Sequence, residues 1–86
     1  MHEFCLMNNL MAKILAIADE NSAQHVTRVE VWLGALCHLS APHFRDHFIE
    51  AARGTIVDGA SLRIEVSEDI DHPQAADIRL LGIDVL

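Results

Sequence analysis

The chain has 86 residues, 51% of them hydrophobic, which supports one compact domain with a single core and excludes a second domain. Thirteen acidic residues against six basic ones give a net charge of −7, and the absence of a basic run or an aromatic-studded basic patch excludes a nucleic-acid surface. No apolar stretch approaches the roughly 18 to 20 residues that span a bilayer, and the start lacks the basic region of a secretory signal, so a cytoplasmic location is expected.

Met1-His2-Glu3 opens the chain. A histidine directly after a free amino terminus can chelate through the α-amine, its own amide nitrogen and its imidazole Nδ1, with the amide nitrogen of Glu3 as fourth donor. Four nitrogens in a plane suit Ni(II) or Cu(II). The geometry requires an unblocked terminus; methionine is normally retained before a residue as bulky as histidine. The plainer account of the same tripeptide is an ordinary histidine on a frayed terminus.

From Glu3 to about Glu20, Met7, Leu10, Met11, Ile14, Leu15 and Ala18 recur at three- and four-residue spacing and predict an amphipathic helix that packs on a sheet. Val26 to Leu33 then alternates, with Thr27, Val29, Val31 and Leu33 on one face and Arg28, Glu30 and Trp32 on the other, as in a half-buried strand. Gly34 ends the alternation. Ala35 to Ala41 reads as a loop, Ser40 as a helix cap and Pro42 as a first-turn residue. The second helix runs to about Arg53, with Phe44, Phe48 and Ala51 or Ala52 as its apolar stripe and Gly54 as its terminator.

Asp58-Gly59 marks a turn, after which Leu62, Ile64 and Val66 alternate with Arg63 and Glu65 in a second strand, Ser61 to Val66, whose polar side faces solvent. The acidic stretch Glu68-Asp69-Ile70-Asp71-His72-Pro73 breaks the pattern. Ile78 to Val85 returns to a strand with a bulge near Gly82. The order is α-β-α-β-β: an α+β fold with two helices packed on one face of a small three-stranded sheet.

Three segments repeat a known pattern in order and at near-constant spacing. They are Met1-His2-Glu3; Val26-Thr27-Arg28-Val29-Glu30-Val31-Trp32-Leu33-Gly34; and Gly54-Thr55-Ile56-Val57-Asp58-Gly59-Ala60-Ser61-Leu62-Arg63-Ile64. With the closing strand Ile78 to Val85, they resemble the hydrogenase and urease nickel-incorporation metallochaperones of the HypA/HybF type over almost the whole chain. The resemblance implies transient Ni(II) binding by the amino terminus. Met1 would supply the amine, His2 the indispensable side-chain ligand, and Glu3 a backbone nitrogen and an orienting carboxylate. It also implies a hydrogenase large-subunit precursor and a nickel-inserting GTPase as partners.

The family also carries a zinc-binding domain with two CxxC pairs between its last two strands. Here the eleven residues 67 to 77 form an acidic loop without cysteine, so no zinc is expected and the chain reads as one nickel-binding-type domain over 1–86. Two function classes therefore stay open. One is a minimal nickel-delivery protein for [NiFe]-hydrogenase maturation. The other is a metal-free derivative of the fold, kept as an interaction or assembly module.

The remaining chemistry-bearing residues are weaker signals. His43 and His47 stand one helical turn apart, so they form either a secondary metal pair or half-exposed surface histidines. His25 and His72 read as polar surface, and Glu68, Asp69 and Asp71 as a solvated loop. Cys5 and Cys37 are too few for a disulfide framework and read as buried free thiols. Cys37 and His38 point apart on a looped chain, no phosphate-cradling glycine cluster occurs, and the chain is not expected to be an enzyme. Trp32 either covers the second face of the sheet, stands exposed as a contact, or lies under its own loop. An uncovered sheet edge or face suggests a homodimer.

Overall fold

A computed structural model describes the backbone from His2 to Leu86 and the side chains from Met7 onward. The elements are α1 (His2–Glu20), β1 (Val26–Leu33), α2 (Ala41–Ala52), β2 (Ser61–Val66) and β3 (Ile78–Val85). The three strands form one sheet in the order β2-β1-β3, with β2 parallel and β3 antiparallel to β1. This is the expected α+β architecture, with α1 packed toward β3 and α2 toward β2. Among the described residues no helix is long and apolar enough to cross a membrane.

The helical stripes supply the core. Met7, Leu10, Met11, Ile14 and Ala18 of α1 are buried, and Phe44, Phe48 and Ala52 of α2 meet them over Val29, Val31 and Leu33 of β1. Each fully enclosed side chain of this set, such as Ile14, Leu33 or Phe44, contributes about 1.5–3 kcal/mol through burial. The Phe44 and Phe48 rings stack with centroids 6.0 Å apart.

Local chemistry sets the ends of α2. The Ser40 hydroxyl accepts from the His43 N–H at 3.3 Å, and Pro42 sits in the first turn, where its missing N–H costs no helical bond. Arg53 caps the other end, and Gly54 follows at φ +80°, a conformation that glycine adopts without a Cβ penalty.

The segment from Gly54 to Gly59 locks itself. The Thr55 hydroxyl donates to the Ala52 carbonyl at 2.7 Å and accepts from the Val57 N–H at 3.0 Å, while a carboxylate oxygen of Asp58 accepts from the Gly54 N–H at 3.2 Å. These bonds drive Val57 fully into the core, and the Ile56 carbonyl accepts the first N–H of β1, from Val26, at 2.9 Å. Gly59 at φ +81° then turns the chain into β2.

One expectation for β1 fails. The core face carries Val26, not Thr27, because the pairing with β3 slips between Val26 and Arg28. Thr27 is the extra residue of that bulge, half-buried, with its hydroxyl on the Asp84 carbonyl at 3.2 Å. The bulge expected near Gly82 is present: pairing slips between Glu30 and Val31, leaving Leu81 of β3 as the extra residue beside Gly82.

Candidate metal centre

Met1 and the side chains of His2 and Glu3 lie outside the described residues, and so does the Cys5 thiol. The backbone of His2 and Glu3 forms the first turn of α1. The first four N–H groups of an α-helix have no acceptor inside the helix. The amide nitrogens of His2 and Glu3, the two that a four-nitrogen plane would use, therefore give up no intrahelical bond when a metal replaces their protons.

His43 and His47 are both exposed on α2, about a quarter turn around the helix from the buried Phe44 and Phe48. The helix thus presents the pair to solvent on one side, where Asp46 and Glu50 are exposed as well. Among the described residues no three His, Cys, Asp or Glu side chains gather around a common point that could hold a metal ion. Cys37 is a buried free thiol whose Sγ lies 3.5 Å from the Leu39 carbonyl, and His38 is exposed at φ +60°. The two do not form a nucleophile–base pair. Nor do the residues fit a thiolate zinc site, since the β2–β3 link contains no cysteine.

That link is ordered by its own side chains. The Ser67 hydroxyl accepts from the Asp69 N–H at 3.1 Å, Asp69 Oδ1 from the Asp71 N–H at 3.0 Å, and His72 Nδ1 from the Gln74 N–H at 2.9 Å. Successive turns carry it over the end of β1, from the Ser67 N–H on the Leu33 carbonyl to the Asp77 carbonyl that accepts from the Gly34 N–H, both 2.9 Å. Glu68, Asp69 and Asp71 stay exposed.

His72 corrects the sequence reading, which left it as polar surface. It is half-buried, and its ring lies 4.9 Å from that of Trp32, tilted by 47°. Trp32 is accordingly neither bare nor enclosed: the acidic loop lays one ring on it at the end of the uncovered face. The rest of that face carries a row of ion pairs, with Glu30 3.5 Å from Arg28 and 3.7 Å from Arg63, and Arg28 3.8 Å from Asp84. Partial exposure limits each pair to about 0–1 kcal/mol. Alternation within single strands placed these residues outward, but only the strand order β2-β1-β3 brings Arg63, Glu30, Arg28 and Asp84 into one row.

Comparison with known proteins agrees with this architecture. Residues 1–70 match the family described as "Hydrogenase/urease nickel incorporation, metallochaperone, hypA". The chain is 35% identical over 81 residues to the hydrogenase maturation factor HypA of Archaeoglobus fulgidus, covering 94% of this chain and 67% of that protein. It is 32% identical over 65 residues to the protein of that name from Nitrosospira multiformis, covering 76% of this chain and 56% of that protein. The chain thus spans two thirds or less of the length of these relatives. Among solved structures, that of the Ni metallochaperone HypA from Helicobacter pylori superposes with a TM-score of 0.82 at 21% identity, covering 100% of this chain and 98% of that one.

Proposed function

The chain belongs to the HypA family of hydrogenase and urease nickel-incorporation metallochaperones, and from that premise we propose that it binds Ni(II) through its amino terminus and delivers it during [NiFe]-hydrogenase maturation. The donors are the Met1 amine, the His2 amide and imidazole Nδ1, and the Glu3 amide. The observation that carries this reading is that the family match includes the intact Met1-His2-Glu3, with the His2 and Glu3 amides in the bond-free first turn of α1. A plane of four nitrogens selects Ni(II) or Cu(II) over oxygen-loving cations. Delivery places the protein in the cytoplasm beside a hydrogenase large-subunit precursor and a nickel-inserting GTPase.

A second reading rests on the cysteine-free β2–β3 link: the fold serves as a metal-free assembly module of the same maturation process. Equilibrium dialysis of untagged protein against Ni(II) separates the two. Delivery predicts one equivalent of nickel, lost in His2→Ala while the circular dichroism of the fold is retained. Equal binding by both proteins, or none by either, removes the delivery reading.

A further inference from the structure

The two edges of this sheet are unequally protected. On β3 the extra residue Leu81 interrupts the ladder, and such a bulge blunts an edge against further pairing. On β2 the pairing with β1 runs without a slip from Ser61 to Val66, and the strand contains neither proline nor lysine. The Ser67 N–H binds the Leu33 carbonyl of β1, whereas Arg45 reaches the Leu62 carbonyl at 3.3 Å from α2. By the alternation of a strand, Ser61, Arg63 and Glu65 direct their backbone groups to β1. Leu62, Ile64 and Val66 direct theirs outward. Arg45 is exposed and covers one of those carbonyls.

The sequence of β2 is complementary to itself in the reversed direction. A two-fold axis through Ile64 sets Ile64 opposite its own copy, Leu62 opposite Val66, and Arg63 of each copy opposite Glu65 of the other. The outward backbone groups fall at Leu62, Ile64 and Val66, so these become the hydrogen-bonded pairs, with about six inter-strand bonds, two of them on the Leu62 carbonyls that Arg45 then shares or releases. Arg63 and Glu65 become the non-hydrogen-bonded pairs, whose side chains approach most closely, and the two opposite-charge contacts favour this register. Arg63 Nε lies 3.7 Å from Glu30, and Glu65 takes part in no ion pair among the described residues. On the helix-covered side the same edge exposes apolar surface, with Val66 55% and Ile49 of α2 51% exposed. A second copy would cover both.

We propose that β2 is the docking edge for a second copy of this chain, joined antiparallel about Ile64 into a continuous six-stranded sheet with all helices on one side. The pairing uses no residue of the nickel reading and stands apart from it. Sedimentation equilibrium of the untagged 9.5 kDa chain, with amide exchange followed by NMR over the same concentration range, tests it.

The expected result is a doubled mass at high concentration, accompanied by new protection of the Leu62, Ile64 and Val66 amides. The Arg63 and Glu65 amides, already bound to β1, stay unchanged. Glu65→Arg sets arginine opposite Arg63 twice and is expected to weaken association about tenfold, while the exchange Arg63→Glu with Glu65→Arg restores it. A 9.5 kDa mass at every concentration overturns the proposal. So does a dimer that protects β3 amides instead, or a charge exchange that fails to restore association.

Discussion

The carbonyl oxygen of Ala75 occupies the space that a β-carbon on Gly34 would need: an ideally placed Cβ would lie 2.1 Å from it. This contact fixes how residues 67 to 77 cross the end of β1, because the Ala75 carbonyl also accepts the Leu36 N–H at 2.7 Å and Ala75 itself is buried. Backbone meets backbone here, so no flexible side chain can move aside. Gly34→Ala is therefore expected to destabilise the fold by about 3 kcal/mol or to detach the loop. Urea unfolding gives the first, and proteolysis between Ser67 and Asp77 reports the second.

His72 closes the same loop onto Trp32. Its Nδ1 accepts the Gln74 N–H and its ring lies against the indole. His72→Ala loses the ring contact and the acceptor together, with an expected cost of about 1–2 kcal/mol. Trp32 is the chain's one tryptophan, so its emission reports the change directly: a red shift is expected, and unchanged emission would show that the loop does not cover the ring.

Thr55 makes two bonds through one hydroxyl, to Ala52 and from Val57. Thr55→Val preserves shape and removes both, leaving the Val57 N–H without its acceptor in a partly buried turn. The expected loss is about 1–3 kcal/mol, measured by thermal or urea unfolding. Thr55→Ser, which keeps the hydroxyl, should stay close to the parent.

These residues also show what the sequence could and could not reveal. The ends of α2 were legible because Ser40, Pro42 and Gly54 act on their immediate neighbours. Alternation located Val29, Val31 and Leu33 correctly but carried Thr27 into the core, since a bulge shifts the phase and depends on the partner strand. Gly34 against Ala75 and Trp32 against His72 join positions about forty residues apart in sequence, and they follow from the loop's path, which no local pattern encodes. The amino-terminal candidate is the opposite case, for its donors are adjacent in the chain and were readable as chemistry without any fold.

The His43 and His47 pair offers two exposed donors, and among the described residues no third His, Cys, Asp or Glu side chain converges with them into a cluster that could hold a metal ion. Replacing both by alanine is expected to leave the nickel stoichiometry at one equivalent and to change stability by less than about 0.5 kcal/mol. A lost equivalent in dialysis would move the site to α2.

The central claim is that the amino terminus itself forms the nickel plane, and visible absorption during Ni(II) titration tests it most directly when free-amine and N-acetylated protein are compared. The account predicts that the free-amine protein develops the band of square-planar, amide-coordinated nickel, saturating at one equivalent with release of protons, and that acetylation abolishes it. An equal band in the acetylated protein, or no band in either, would contradict the account.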